Sequence, residues 1–549
     1  MNRSRVAFFS TAILVIALAG QAIAATLMSD TRANQPQVAG VATSNASARF
    51  PTNKQNEPTI AIAPDGTHAL AGANDEQKQP ACGPGPQRGS TAPGSDCSFF
   101  PGVGTSGVYT SSDGGSTWMN RGLLPGYTDT GSSVAATAGA LATSAVPGTL
   151  ISDGDPVIVY GPKPGAGGFS WANGARAYYA NLSSYASGAA KGNQAPELLA
   201  VSISDDHGAS WYDPIVAVRS NGFTFNDKEA IWADRTAGSP FFGRVYISWT
   251  QFRGIPGCAE PIMFASSADG GLTWSRPDQL SPAHNCGIGG RQGSAIRSGP
   301  DGSVLVFWED TDKLGTKQVV QISHDGGLSF SKTIDVGRVA DIHDPIPGAN
   351  FRTDSFLSAA VDATSGAVYA AWSTRTTAGG RIVVTKSTSG GASWSSTTTI
   401  SGSEGYAFFQ GLDVAPNGRV DLGYQALVAI DPTTYGTGNA TVNSYYVSSG
   451  DGGATWSSPT KISSAGSDPA ASAQNNLARQ FWGDYSTLAS TNGFALFIST
   501  DTRTGVGCAA VDAYQHALDA GTTATKPAPP AVCASQFGNS DVFVSKVAP

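Results

Sequence analysis

Seven short segments, each directly before a predicted β-strand, carry carboxylates, arginines or aromatic side chains. If they meet, two carboxyl groups can work as acid and base on a glycosidic bond, a guanidinium can bind an anionic group, and aromatic rings can stack on a sugar. The alternative is that these residues cap strands or line a water-filled channel. The segments are Asn56-Glu57, Asp153-Gly154-Asp155, Asp227-Lys228-Glu229, Arg291-Gln292, Arg352-Thr353-Asp354, Phe409-Gln410 and Trp482-Gly483-Asp484-Tyr485.

A repeat indicates which elements would hold these segments. The pattern S-x-D-x-G-x-x-W recurs at 111–118, 204–211, 267–274 and 449–456, with degenerate copies at 323–330 and 387–394. A short Asp can accept backbone N–H bonds across a tight turn, and Gly can adopt the positive φ that such a turn needs. We therefore predict a structural role for the aspartates of this repeat, which are Asp113, Asp206, Asp269, Asp325 and Asp451.

A second repeat, of strand, turn and strand, is found seven times, at 58–74, 156–182, 230–250, 294–309, 356–373, 411–425 and 485–500. With the first repeat and a short strand after it, each unit has four strands, as in a propeller blade. The last unit lacks its fourth strand, and we expect residues 37–43 of the N-terminal segment 25–50 to supply it. The predicted fold is all-β, a single seven-bladed β-propeller with Asp-box repeats, and six blades is the alternative.

In a four-stranded blade the first-to-second and third-to-fourth turns share one face, the bottom. The seven polar segments then lie on the opposite face, the top, as do the insertions at 75–106, 251–261, 285–291 and 504–538. Long loops gathered over one face indicate the functional face, although they could also only shield the channel mouth.

The chain resembles the secreted bacterial sialidase-like propellers with Asp-box (BNR) repeats. Besides the boxes, the resemblance is carried by residues 55–62, 227–231, 243–250 and 481–485. It implies a propeller over residues 51–549 and a carbohydrate substrate or ligand, with the boxes lying away from the active site.

Sialidases of this type resemble one another in an Arg-Ile-Pro segment, an arginine triad, an Asp acid/base and a Tyr nucleophile assisted by Glu. Here Tyr485-Ser486-Thr487-Leu488 is similar to the context of the nucleophile, whereas residues 50–58 contain no Arg-Ile-Pro. Arg352, Arg479 and Arg503 could supply the guanidinium groups. The candidate catalytic residues are Asp155, Glu229, Asp484 and Tyr485. The candidate substrate-binding residues are Glu57, Asp227, Arg352, Asp354, Gln410, Trp482 and Arg503.

Two functions remain open at this point. One is a sialidase-like glycoside hydrolase that acts on a glycan at the central cleft of the top face. The other is a propeller that binds a glycan or a protein there without catalysis. The sequence has no G-x-S-x-G elbow, which argues against an α/β-hydrolase, and no G-x-x-x-x-G-K, which argues against a phosphate-binding loop. It also has no C-x-x-C and no H-E-x-x-H, and we assign no metal and no cofactor. Calcium on clustered carboxylates is conceivable, but no D-x-D-x-D-G loop supports it and it is not assigned.

Residues 1–24 have the pattern of a secretory signal peptide, with Arg3 and Arg5 before an apolar run and Ala22-Ile23-Ala24 as the cleavage site. The alternative is a membrane anchor, for which the run is short. We expect a secreted or periplasmic monomer that does not span the membrane once the signal is removed. The net charge of −8 argues against nucleic acid as a partner.

Export also favours disulfides. The six cysteines form three local pairs in the sequence, Cys82/Cys97, Cys258/Cys286 and Cys508/Cys533. Because six cysteines allow 15 connectivities, this pairing rests on proximity alone.

Overall fold

The computed structural model describes residues 25–34, 54–77, 104–127, 135–137, 150–185, 198–219, 224–254, 259–283, 290–474, 476–534 and 536–549. Seven antiparallel sheets of four strands each contain nearly all of the β-strands in this part of the chain. We call these sheets blades 1 to 7 and give their strands from the channel outwards.

Blade 1 consists of Gln55–Ile62, Ala69–Asp75, Ser106–Ser111 and Met119–Leu123. Blade 2 consists of Leu150–Gly165, Gly168–Tyr185, Leu198–Ser204 and Ile215–Val218. Blade 3 consists of Thr224–Ala233, Val245–Arg253, Ile262–Ser267 and Asp278–Gln279. Blade 4 consists of Arg291–Ser298, Val304–Asp312, Gly315–Ser323 and Ile334–Arg338.

Blade 5 consists of Ser358–Val361, Val368–Thr376, Gly379–Ser387 and Thr398–Thr399. Blade 6 consists of Tyr406–Val414, Val420–Ala429, Ala440–Ser449 and Thr460–Lys461. Blade 7 consists of Thr487–Ser490, Ala495–Asp501, Asp541–Ala548 and, from the N-terminal end, Thr26–Arg32. Outside the blades, Ala135–Thr137 pairs with Ser210–Tyr212, and the helical segments are Pro469–Ala471, Ala509–Asp519 and Pro529–Val532.

The seven blades form a closed ring. The first strand of each blade contacts the first strands of both neighbouring blades, and the first strand of blade 7 contacts that of blade 1. The seven-bladed all-β propeller is thus confirmed, and the alternative of six blades is wrong.

The ring is closed by the N-terminal segment. Thr26–Arg32 pairs antiparallel with Asp541–Ala548 as the fourth strand of blade 7. We had expected residues 37–43 in this position, and these lie outside the described residues. The sequence of the last unit indicated that a strand was missing, but an irregular polar segment such as TLMSDTR carries little strand signal of its own.

The repeated turn joins the third and fourth strands, and its hydrogen bonds explain its sequence. In blade 1, Asp113 Oδ1 accepts from Thr117 N at 2.9 Å, and Ser111 Oγ accepts from Gly115 N at 2.9 Å. The same pattern recurs in blades 2 to 6, with Ser389 in place of the aspartate in blade 5. An added Cβ on Gly208 would lie 2.6 Å from Leu70 Cδ1 of the neighbouring blade, so this turn also needs glycine for close packing.

The core lies between the blades. Trp308 of blade 4 packs with Tyr246 of blade 3, and Trp372 of blade 5 packs with Phe307 of blade 4, all fully buried. Truncating a buried aromatic residue of this size costs about 3–5 kcal/mol, so these contacts fix the angle between neighbouring blades.

The described cysteines form the disulfide Cys508–Cys533, as predicted, and it ties the start of helix Ala509–Asp519 to the end of Pro529–Val532. The other two predicted pairs, Cys82–Cys97 and Cys258–Cys286, lie outside the described residues. Among the helices that the structure describes, none is long and apolar enough to cross a membrane.

Candidate functional site

The first strands of five blades share a bulge near their upper end. In blades 1, 2, 3, 4 and 6, two residues face one on the second strand. The first residue of each bulge has a left-handed backbone, with φ of 53°, 53°, 52°, 66° and 48° at Glu57, Asp155, Lys228, Gly293 and Phe409. Four of these are not glycine, and a non-glycine residue in this region costs about 1–3 kcal/mol. Such strain, repeated around one axis, points to a functional constraint on where these side chains lie.

At the level of the bulges, the central channel contains a cavity of about 160 Å³. Residues from all seven blades line it, and its volume is roughly ten times what a single water needs. Its charged lining residues include four of the predicted carboxylates, Asp155, Glu229, Asp354 and Asp484.

Asp484 is the centre of an ion-pair network at the top of this cavity. Arg352 donates to it from Nε and Nη2 at 2.7 and 2.6 Å, and Lys228 Nζ lies 3.1 Å from its Oδ2. Burial alone would raise the pKa of Asp484, but the two cations outweigh it and lower the pKa to about 2. Asp484 is therefore ionised and occupied by its partners, which suits a positioning residue better than a proton donor.

Glu57 and Asp155 share a partner on the second strand of blade 1. Asn74 Nδ2 donates to Glu57 Oε2 at 2.7 Å and lies 3.5 Å from Asp155 Oδ1, while Asn74 Oδ1 accepts from the backbone N–H of Asp155 at 2.7 Å. Burial, and then the negative charge of Asp155, raise the pKa of Glu57 well above its usual value. Asn74 thus holds the carboxyl groups of Glu57 and Asp155 next to each other.

Glu229 is the least satisfied polar group of the site. It is only 4% exposed and lines the cavity, and neither of its carboxyl oxygens has a hydrogen-bond partner among the described residues. Burial, followed by the charge of Asp155, raises the pKa of Glu229 well above that of an ordinary glutamate. Burial thus favours the protonated, neutral form of this carboxyl group at the cavity wall, the form that a proton donor needs.

Asp227 and Asp354 complete the acidic part of the site. Asp227, partly buried, accepts from the backbone N–H of Lys228 at 2.9 Å. Burial and the charge of Asp155 raise the pKa of Asp227 to about 7. Asp354 lines the cavity and is exposed at its surface.

Tyr485 lines the cavity, but its phenol is not prepared as a nucleophile. Its hydroxyl donates to the carbonyl of Pro156 at 3.3 Å, and Lys228 Nζ lies 4.4 Å from the centre of its ring. Burial and the charge of Asp155 raise the pKa of Tyr485 well above its usual value, which disfavours the phenolate. The side chain supports Lys228 instead.

The three candidate triad arginines do not converge. Arg352 binds Asp484, Arg479 lies 3.5 Å from Asp344, and Arg503 lies 2.6 Å from Asp30 of the closing strand. Arg503 also pairs with Asp501 and packs on Phe543, both of blade 7. The structure therefore contradicts an arginine triad, and Arg503 does not belong to the central site.

Two further predicted binding residues have other partners. Trp482 is fully buried, stacks on Phe351 and donates to Gln425 Oε1 at 2.9 Å, so it has no surface to offer a ligand. Gln410 lines the cavity, but its amide nitrogen donates to the carbonyls of Phe356 and Ala371 at 2.8 and 3.2 Å. Both stabilise contacts between blades.

Sequence reasoning missed Asn74. It is the last residue but one of the second strand of blade 1, whereas the prediction considered only the residues before the first strands. The signal that could have found it is the Asn74-Asp75-Glu76 polar run at the top of that strand, directly before the long insertion.

No family model matches the chain, and no curated protein matches it. Among solved structures, it is similar to a protein of unknown function from Dyadobacter fermentans, with 14% identity over 72% of this chain and 93% of the other and a TM-score of 0.41. It is similar to the α-L-arabinofuranosidase Arb93A from Fusarium graminearum, with 13% identity over 76% and 97% and a TM-score of 0.42. It is similar to the Hadza microbial sialidase Hz136, with 16% identity over 59% and 60% and a TM-score of 0.35. We therefore infer the function from the site of this chain and not from these similarities.

Proposed function

We propose that the protein is a secreted glycoside hydrolase that cleaves a glycan at the top of the central channel. Glu229 is the proton donor, and Asp155 is the carboxylate that works with it. The observation that carries the proposal is the buried, unpartnered carboxyl group of Glu229 at the wall of a cavity that Asp155 also lines. A carboxylic acid kept neutral by burial, beside a second carboxyl group, is the arrangement that glycoside hydrolysis uses.

In the proposed reaction Glu229 gives its proton to the glycosidic oxygen as the bond from the anomeric carbon to that oxygen breaks. Asp155 either attacks the anomeric carbon or activates a water that does so, and the separation of the two carboxyl groups around the bound sugar decides between these outcomes. If Asp155 attacks, a water that Glu229 deprotonates then cleaves the glycosyl–Asp155 ester, which returns the proton to Glu229. If Asp155 activates a water instead, Asp155 takes the proton of that water and loses it to solvent, and Glu229 takes up a proton from solvent.

The charge of the site favours a neutral sugar. Lys228 and Arg352 both pair with Asp484, and the three candidate triad arginines do not converge on one position where they could bind a substrate carboxylate. The protein is therefore sialidase-like in its repeats, without the residues that would select a sialic acid. Export through the signal at 1–24 is part of the proposal, and the disulfide Cys508–Cys533 supports it because disulfides persist in oxidising compartments.

The test is a panel of fluorogenic glycosides, with sialosides and arabinofuranosides included, on the purified wild type, Glu229→Gln and Asp155→Asn. Glu309→Gln is the matched control because burial also raises the pKa of Glu309, which lies outside the cavity lining. We expect one glycoside to be hydrolysed by the wild type and the control, and both site variants to lose about 10²–10⁴-fold in rate. Retained glycan binding without hydrolysis of any substrate would instead assign the site to a non-catalytic binding module.

A further inference from the structure

One repeat turn departs from the others in a way that costs stability. The residue after the box aspartate, or after Ser389 in blade 5, is Gly114, Gly270, Gly326, Gly390 and Gly452 in five turns, with φ between 62° and 76°. In blade 2 the same position is His207, with a φ of 58°. A left-handed backbone costs a side chain roughly 1–2 kcal/mol relative to glycine, so His207 is placed there against the preference of the turn.

The imidazole of His207 meets a second imidazole from the neighbouring blade. Its ring stacks on that of His68, with ring centres 4.2 Å apart and planes 7° from parallel. His207 Nδ1 is buried and has no hydrogen-bond partner among the described residues. No hydrogen-bond partner among the described residues therefore competes with a ligand for this nitrogen of His207.

A carboxylate completes the group. His68 follows the tight turn Pro64-Asp65-Gly66 of blade 1, and its Nδ1 lies 2.7 Å from Asp65 Oδ2. The other oxygen of Asp65 accepts from the backbone N–H groups of Thr67 and His68, both at 2.9 Å, which fixes the carboxylate in place. One ligand atom each from Asp65, His68 and His207 all lie within 4.8 Å of one another.

We propose that Asp65, His68 and His207 form a binding site for a divalent transition-metal ion such as Zn²⁺, bridging blades 1 and 2 on the bottom face. Two imidazoles and one carboxylate, with the remaining coordination positions open to water, are a ligand set that suits Zn²⁺ and related ions and does not suit Ca²⁺ or Mg²⁺. Because a metal lies in the plane of its imidazole ligand, His68 turns out of the parallel stack when the ion binds. Its side chain is 38% exposed, which leaves room for that rotation.

The ion would act as a clamp between blades. Asp65 and His68 belong to the first-to-second turn of blade 1, and His207 belongs to the third-to-fourth turn of blade 2, so they are joined only through the packing of the two blades. Both turns lie at the end of the ring opposite the bulges that hold Glu229 and Asp155. The proposed metal therefore contributes to stability and takes no part in the proposed hydrolysis.

The experiment compares metal binding and thermal unfolding of the full-length mature protein, purified without a polyhistidine tag and treated with EDTA. The decisive variant is His207→Gly, which restores the residue found in the five other turns and so should fold at least as well as the wild type. His324→Gln is the matched control, since His324 is an exposed histidine beside the box aspartate of blade 4.

We expect the wild type and His324→Gln to retain about one Zn²⁺ per chain after dialysis, measured by elemental analysis. We also expect a rise in Tm of about 2–3 °C when free Zn²⁺ exceeds its Kd about 100-fold, with EDTA reversing it. His207→Gly should show neither effect, and Ca²⁺ should leave all three proteins unchanged. Equal Zn²⁺ retention and equal Tm shifts in the wild type and in folded His207→Gly would overturn the proposal, as would the absence of both effects in the wild type.

Discussion

Replacing Asp484 by Asn should strongly destabilise the protein, although the change is isosteric. Asp484 is 5% exposed and is the nearest anion to Lys228, at 3.1 Å. Once its charge is removed, the closest carboxyl oxygen to Lys228 is that of Glu57 at 4.0 Å, and burial, which raises the pKa of Glu57, disfavours the charged form of that group. The variant therefore leaves the buried Lys228 without its nearest compensating charge, and Asp155 and Asp227 lie too far away to form an ion pair with it.

The pKa of Asp484 gives a lower bound for the loss. A fall from 3.8 to about 2 corresponds to roughly 2 kcal/mol. Because the pKa is lowered on folding, this stabilisation is complete at neutral pH and is lost only as the pH falls towards 2. Breaking a buried ion pair from one side costs about 3–5 kcal/mol. At about 1 kcal/mol per kelvin of unfolding entropy for some 500 residues, the Tm should fall by about 3–5 °C.

Differential scanning calorimetry of four proteins tests this prediction. Asp335→Asn is the control, since the pair of Asp335 with Lys317 has the carboxylate 61% exposed and should be worth less than about 1 kcal/mol. Adding Lys228→Met to Asp484→Asn should recover part of the loss. A Tm for Asp484→Asn within 1 °C of the wild type, in roughly the same range as the control, would refute the reasoning.

Three further predictions concern the same site. Burial raises the pKa of Asp227 to about 7, so the native state holds a proton there that the unfolded chain releases above about pH 4, and this stabilisation is lost as the pH rises through 7. Asp227→Asn should therefore raise the Tm more at pH 8 than at pH 5. An equal change in Tm at both pH values would contradict this prediction. Gly483→Ala should lower both Tm and activity because its Cβ would lie 2.7 Å from Glu57 Cγ at a φ of 77°, whereas Gly493→Ala, with open space around it, should be neutral in both assays. Tyr485→Phe should keep its rate within about tenfold, because its phenol only binds a backbone carbonyl; a loss comparable to that of Glu229→Gln would restore the tyrosine as nucleophile.

The fold was predictable because its signals are local and repeated. The box residues bond within a single turn, as at Ser111, Asp113 and Gly115, so their spacing is visible in any one copy. The seventh unit has no Asp-box, but its strand-turn-strand repeat still predicted a seventh blade. The closing strand was not predictable in position, since Thr26–Arg32 gains its partner only from the other end of the chain.

The central site was predictable in its location and only partly in its members. The residues at the start of the first strands were predicted to meet because blade symmetry brings those positions to one axis, and Asp155, Glu229 and Asp484 do line the same cavity. The same rule wrongly included Trp482. Nothing in the sequence of this segment distinguishes a residue that faces the cavity from one that is buried between the blades. Cross-blade groups, such as Asn74 with Asp155 or His68 with His207, depend on how neighbouring blades pack, which no spacing along the chain encodes.

The most direct test of the central claim is the dependence of the rate on the leaving group in Glu229→Gln. A proton donor matters most when the departing oxygen is strongly basic, so kcat/KM should be measured on an alkyl and on a nitrophenyl glycoside of the same sugar. If Glu229 is the acid, the variant loses about 10²–10⁴-fold on the alkyl glycoside and far less on the nitrophenyl glycoside. Equal losses on both substrates, or no hydrolysis of either by the wild type, would contradict Glu229 as the proton donor.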